Sequence, residues 1–285
     1  MTTITAVPAT LAPSVGTPRR GLAAWWRDTR ILTRRNLLHV RREPMQLSDV
    51  TIQPVLFVFL FVYVFGSATV IPGGGSYADF VLAGLLTLNL TTASMGTTVG
   101  LSSDLKTGVI DRFRTLPIVG SSVLFARSVS DVLTATLAAT LVGLTGLVVG
   151  WRPENSPLET VAGFAIVILF AYCLSWAAAS LGLVASDPES AQGVGFVLFF
   201  PLSFISNAFV PTQGMPGWLE AVANWNPVSA VTSASRELFG NPNPSASIDA
   251  WPMQHPIEAA LAWCAVLLVV FVPLATHLYR SKTTD

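Results

Sequence analysis

Hydrophobic and polar positions along this chain follow two patterns. Uncharged, mostly apolar runs recur at Val50–Ile71, Phe80–Ser103, Thr160–Ser186, Ser190–Leu219 and Ala259–Tyr279. A hydrocarbon core about 30 Å thick needs roughly 20 apolar residues per helix, and every one of these runs is long enough. Val132–Gly150 is slightly shorter and begins just after Asp131, a residue that can sit at the interface. The fifth run exceeds one crossing, and Pro201, Pro211 and Pro216 punctuate it, so its span should end near Val210. A charge at mid-span costs about 2.5–3.5 kcal/mol on insertion scales, so clean runs of this length do not arise by chance. The expected fold class is therefore all-α, a polytopic membrane protein. Six transmembrane helices are predicted, at about 48–71, 79–103, 122–150, 159–186, 190–210 and 257–279, within one transmembrane domain over 45–280.

The second pattern is helical and amphipathic. In 21–44, GLAAWWRDTRILTRRNLLHVRREP, a turn of about 100° per residue puts Leu22, Trp25, Trp26, Leu32, Leu37 and Val40 on one arc. Arg27, Arg30, Arg34, Arg35, Arg41 and Arg42 share the other, while Ile31 and Leu38 break the pattern. Such a helix lies in the headgroup plane, and Pro44 ends it before the first span. The same arginines also satisfy the preference of basic residues for the cytoplasmic side without any helix. A further segment, 211–240, reads as two short helices. Met215, Trp218, Leu219, Val222 and Trp225 make one stripe, and Asn226-Pro227 is an N-cap with a first-turn proline. Val228, Val231 and Leu238 then share a side of the second helix, so both are expected to fold back into the outer leaflet interface. Gly240 to Pro256 reads as irregular connector.

Charge sets orientation. Of 16 Lys and Arg, all but Arg152 and Arg236 fall before the first span, between the second and third, or after the last. Both termini are thus expected in the cytoplasm, with 1–20 a disordered tail lacking a cleaved targeting peptide and 281–285 a short tail. Apolar residues make up 52% of the chain and charged ones 11%, against about 25% charged in soluble domains. Net charge is zero, so nothing indicates a nucleic-acid partner. Cys173 and Cys264 fall in mid-span and read as small packing residues, with no disulfide framework and no metal signature.

Catalytic residues are not found: there is no G-x-x-x-x-G-K-[ST] phosphate loop, no G-x-S-x-G, no H-E-x-x-H, and His39, His255 and His277 have no ligand spacing. Asp131, Glu258 and His277 sit at span ends, where snorkelling explains them. The most polar intramembrane surface is TLNLTTASMGTT with Asn89, Thr92 and Ser94, together with Asn207. These are helix-packing groups or a substrate path.

DLKTGVIDRFRTLP, 104–117, stands out in the second basic loop. Leu105, Val109, Phe113 and Leu116 fall at helical spacing, and Lys106, Asp111, Arg112 and Arg114 offer charges that could orient a partner. An amphipathic loop resting on headgroups would use the same residues.

GVIDRFRTLPIVGSSVLFARSVSD (108–131) and FISNAFVPTQGMPGWLEAVANWNPV (204–228) resemble the ABC-2 family of ATP-binding-cassette membrane permeases, in particular the daunorubicin-resistance type of multidrug exporter permease. In the first motif Asp111-Arg112 stand where an acidic-basic pair is usual, Leu116-Pro117 close the loop, and Arg127 and Asp131 open the next helix. In the second, Asn207, Pro211, Met215-Pro216 and Asn226-Pro227 match the end of span five and the extracellular re-entrant helices. The resemblance implies a transport subunit of a bacterial inner or plasma membrane, not itself an enzyme. Its implied partners are two ABC ATPase subunits, a second permease copy or paralogue, and membrane lipids. ATP and Mg would be used by the ATPase, with no cofactor on this chain. Leu105, Val109, Asp111, Arg112, Phe113, Arg114, Leu116 and Pro117 would form the ATPase-coupling segment. The cargo implied is a hydrophobic or amphipathic drug-like compound. A glycolipid, polyketide lipid or lipid-linked glycan is the alternative within the family. An ion-coupled secondary transporter or a non-transporting scaffold are the alternatives outside it.

Overall fold

The computed structural model describes residues 22–67, 71, 74–109 and 121–282. Among them every regular element is helical: α1 Leu22–Arg42, α2 Pro44–Leu60, α3 Tyr77–Lys106, α4 Ser121–Val148, α5 Pro157–Val184, α6 Pro188–Phe204, α7 Gly217–Asn224, α8 Pro227–Phe239, α9 Trp251–Gln254 and α10 Pro256–Lys282. Five stretches are long and apolar enough to cross a membrane: Leu47–Phe65, Tyr77–Lys106, Ser122–Val148, Pro157–Val184 and Pro256–Ser281. With α1, they make this a multi-pass helical membrane protein.

Short polar residues followed by proline start several of these helices. Asp187, Ser156 and Asn226 each precede a proline that needs no amide partner in the first turn. Ser156 and Glu159 close a reciprocal capping box, with the Ser156 amide donating to Glu159 Oε2 at 3.0 Å. Asp187 accepts the Ser190 amide at 2.9 Å and the Ser190 hydroxyl at 2.9 Å, and these bonds with one from Ser186 hold its carboxyl below the usual carboxylate range. The bundle has one end rich in arginine, carrying α1, the last turn of α3 and the first turns of α4, and a far end built from residues between α6 and α10.

α3 is the central element. Of its apolar window 78% is buried, against 11% for the stretch Leu47–Phe65, and it packs on α2, α4, α5, α6 and α8. Phe80, Val81, Leu82, Ala83, Leu85 and Leu86 are fully enclosed. The peripheral spans expose their apolar side chains, as lipid-facing helices must, because hydrocarbon solvates them.

The structure departs from the expected elements in four places. The first span was expected to reach residue 71, but it ends in a π-helical turn, Phe61–Phe65. The fifth was expected over 190–210, but α6 ends at Phe204. Pro201 lies in its last turn, and Asn226 Nδ2 donates to the carbonyls of Leu202 (2.7 Å) and Ile205 beyond it. The second far-end helix, α8, does not lie on the surface. It is enclosed by α5, α10 and α3 on its polar as well as its apolar side, because Ser229, Ala230, Ser233 and Ala234 are small enough for close approach. The 240–256 connector contains two short helical turns, Pro244–Ser247 and α9. α7 keeps the expected outward stripe, with Trp218, Val222 and Trp225 all exposed.

Candidate functional site at the arginine-rich end

Residues 104–109 continue from the last turn of α3, and α4 begins at Ser121. Leu105 is partly buried there, against a small core of Leu101, Leu124, Trp176 and Leu183. α3 stops at Lys106, and Gly108 takes the left-handed conformation at φ 67°. The helical register expected to link Leu105 to Val109 is therefore interrupted between them, since a left-handed residue reverses the helix path. Val109 is half-buried. Asp111, Arg112, Phe113, Arg114, Leu116 and Pro117 lie outside the described residues.

What holds the base of this segment is clear. Arg35 of α1 pairs with Asp104 at 3.2 Å, tying the amphipathic helix to the end of α3. Arg127 of α4 reaches across to α3, where Nη2 donates to the Gly96 carbonyl at 3.0 Å and Nε sits 3.6 Å from Asp131. Asp131 in turn accepts the Thr97 hydroxyl at 2.8 Å. A Cβ on Gly100 would lie 2.9 Å from the Arg127 guanidinium carbon and nearer still to its nitrogens. Gly100 is thus the seat that admits the arginine, and Gly96, one turn before it, contributes its carbonyl. α1 is fixed to α4 through Thr33, whose hydroxyl donates to the Ala126 carbonyl at 3.3 Å. Trp25 packs on Phe125 at 4.7 Å between centroids, with the rings tilted by 43°.

This revises the reading of α1. Its helix and its amphipathic arcs are as expected, but the centre of the apolar arc is spent on protein. Thr29, Leu32 and Thr33, with Asp28, face α4 and are buried, whereas Trp26 is exposed. The signal for the clamp was present as Gly-x-x-x-Gly in GTTVG, yet spacing alone could not say which side chain would occupy it.

At the far end, Asn207 lies in the turn after α6 and is fully buried. Its amide donates to Ser233 Oγ at 2.6 Å and Ser245 Oγ at 2.9 Å, and its backbone N–H to Ser229 Oγ at 3.0 Å. Arg236, also fully buried, donates to the carbonyls of Phe80 (2.9 Å) and Ala208 (3.0 Å) and lies 3.8 Å from the Phe80 ring centroid. Asn207 is thus a packing hub. The other polar candidates turn inward on their own helix: Asn89 Nδ2 donates to the Leu85 carbonyl (2.7 Å), Thr92 to Leu88 (3.0 Å) and Ser94 to Leu90 (3.3 Å). Thr92 alone of these three is not buried.

A feature that sequence reading missed joins α6 to the π-helical turn after α2. Phe196, Phe200 and Phe204 stack at 4.7 and 4.2 Å, and Phe209 continues the column at 5.4 Å. Phe61 follows at 4.9 Å and Phe65 at 5.2 Å. Phe196, Phe200, Phe204 and Phe65 are exposed. The i, i+4, i+8 spacing on α6 was visible, but its continuation through Phe209 onto the π-helical turn is tertiary. Cys173 and Cys264 are buried free thiols. Among the described residues no group of three or more His, Cys, Asp or Glu could hold a metal ion.

Comparison with known proteins agrees with this architecture. A family described as ABC-2 type transporter matches residues 27–239. A daunorubicin resistance ABC transporter permease protein of Streptomyces coeruleorubidus is 34% identical over 248 residues, covering 87% of this chain and 84% of the relative. A probable doxorubicin resistance ABC transporter permease protein of Mycobacterium tuberculosis is 25% identical over 262 residues, 90% of each chain. A putative transport permease of the alga Pyropia yezoensis is 26% identical over 221 residues, 76% of this chain and 75% of the relative.

Proposed function

The chain belongs to the ABC-2 type transporter family, and from that premise we propose that it is the permease of an ATP-driven exporter moving a hydrophobic or amphipathic drug-like compound out of a bacterial cell. The drug-resistance names of two relatives support the cargo class. The observation that carries it is the ladder of phenylalanine rings from Phe196 to Phe65, whose exposed rings Phe196, Phe200, Phe204 and Phe65 offer faces on which flat apolar molecules stack. In this reading the chain sits in the plasma membrane with both termini in the cytoplasm, which the arginine-rich end supports. α6, about 25 Å long at 1.5 Å per residue, makes the sixth crossing together with the turn after it.

Energy comes from two ATPase subunits on separate chains, which bind ATP and Mg, and a second permease copy or paralogue faces this one. Residues 104–117 dock in the ATPase. Closure of the ATPase pair pulls on α3 and α4 through Asp104 and Arg127, the residues that anchor both ends of the segment. The experiment is Phe113→Asp. Membrane insertion should be unchanged while co-purification with the ATPase, or its substrate-stimulated turnover, falls. Normal co-purification and transport would remove the coupling role.

A further inference from the structure

Five of the six arginines of α1 fall into two sets. Arg27 and Arg35 pair with Asp28 and Asp104, each at 3.2 Å. Arg30, Arg34 and Arg41 are exposed and form no hydrogen bond or ion pair with any of the described residues. These three line one groove, of about 780 Å³, that runs along α1 beside α4. Its other wall is apolar, with Trp26 and Leu37 of α1 and Val129 of α4. At its base Thr29, only 3% exposed, carries a buried hydroxyl without a hydrogen-bond partner.

We propose that this groove is a specific binding site for an anionic phospholipid, with its phosphate on the arginines and the start of its acyl chains against Trp26, Leu37 and Val129. Three observations converge on that chemistry. Charge complementarity calls for an anion, since a row of unpaired guanidiniums on one face is left without counter-charge and guanidinium binds phosphate bidentately. Arg30 and Arg34 stand one turn apart, close enough to share a phosphate, while Arg41 extends the basic wall to about 16 Å from Arg30 at 1.5 Å per residue. The apolar wall excludes a free phosphate as the natural occupant, because water solvates that ion better than a groove half lined by hydrocarbon. Size agrees too, as sites of roughly 300–1,000 Å³ hold drug-sized ligands, enough for a headgroup and the first methylenes.

Position places the groove at headgroup depth. α1 ends at Arg42, Pro44 starts α2, and the apolar stretch begins at Leu47, so Arg41 stands at the edge of the hydrocarbon. The buried Thr29 hydroxyl offers a donor within the groove to an ester or phosphate oxygen. Because α1 also carries Arg35, the partner of Asp104, a lipid in this groove would sit on the helix that braces the base of the 104–117 segment. The proposal requires only that the chain lies in a bilayer, and it stands or falls independently of what is exported.

Native mass spectrometry of the delipidated full chain in detergent, with dioctanoyl phosphatidylglycerol or dioctanoyl phosphatidylcholine added, tests this. Basic residues near a membrane surface contribute about 1 kcal/mol each toward anionic lipid. We expect the wild type to retain the anionic lipid at least about tenfold better, and Arg30→Gln/Arg34→Gln/Arg41→Gln to lose that preference. Arg42→Gln, about 100° round α1 from Arg41 and outside the groove, should keep it. Equal retention of both lipids by the wild type would overturn the site, as would undiminished preference in the triple variant. Displacement of the lipid by equimolar inorganic phosphate would also overturn it, by showing that the hydrocarbon wall contributes nothing. A disulfide between two copies through Leu38→Cys that lipid does not suppress would assign the face to a second copy instead. If the triple variant proves poorly folded, Arg30→Lys/Arg34→Lys/Arg41→Lys, which keeps charge but loses the fork, should show an intermediate preference. A full wild-type preference there would refute bidentate recognition.

Discussion

Gly84→Ala tests whether the far-end turn is held to α3 by an approach that only glycine permits. A Cβ built there lies 2.6 Å from the carbonyl carbon of Ala208 and 2.9 Å from its Cα, and closer still to the oxygen. Carbon and oxygen rest at about 3.3 Å or more, so the 205–210 turn must retreat by the better part of an ångström or beyond. That movement pulls the Ala208 carbonyl from Arg236 Nη2, now 3.0 Å away. Overpacking a close-packed site costs about 1–3 kcal/mol. Loss of a hydrogen bond to a buried charged group adds about 1.5–3 kcal/mol, since the guanidinium has no water to turn to. The expected destabilisation is thus about 2.5–6 kcal/mol. Gly96 is the internal control on the same helix, because nothing stands within 4 Å of a Cβ added there. Gly96→Ala should fall within about 1 kcal/mol of wild type. The assay is reversible denaturation by sodium dodecyl sulfate in bicelles, followed by tryptophan fluorescence. Equal stability of the two variants would refute the close approach, and with it the packing of the far-end turn on α3.

Other outcomes follow from the same geometry. Arg35 and Asp104 are partly exposed, so their pairing contributes only about 0.2–1 kcal/mol to stability, yet it positions the base of the 104–117 segment. Arg35→Asp and Asp104→Arg should each lower substrate-stimulated ATPase turnover, and the double exchange should recover it. A double variant no better than either single one would show that the pair does not position the segment. Asn207→Leu leaves Ser233 and Ser245 without their buried donor and should cost about 1–3 kcal/mol in the bicelle assay; a neutral result would mean the hub is not holding the turn. Phe200→Ala removes the middle rung of the exposed ladder, where ring contacts are worth about 0.5–1.5 kcal/mol. KM for a flat aromatic drug should rise roughly 2–10-fold, and an unchanged KM would take the ladder out of the substrate path.

Much of the architecture was legible along the chain because membranes impose simple rules. Apolar length gave five of the six expected spans, and Asn226-Pro227 marked the start of α8, since an Asx cap with proline behind it has few other uses. What could not be read is tertiary. The Ser and Ala positions of α8 look like the polar face of a surface helix, and only the neighbouring α5, α10 and α3 turn that face into an interior. Arg236 counts as a loop cation in sequence, yet its donors end on two backbone carbonyls far away along the chain. The apolar arc of α1 was read correctly, but its centre is taken by α4, so the boundary between arcs, not the arc itself, is what faces outward. Gly100 looks like any small residue on a membrane helix until Arg127 fills the space beside it.

The claim at the centre of this account is that the chain moves a drug only when an ATPase works upon it. Proteoliposomes containing the permease, with and without a co-purifying ABC ATPase, should be loaded with daunorubicin on the ATPase side. The account predicts flux that requires ATP, Mg and the ATPase together, and that survives collapse of the proton gradient. Flux by the permease alone, abolished by an uncoupler, would contradict it and assign the chain to ion-coupled transport.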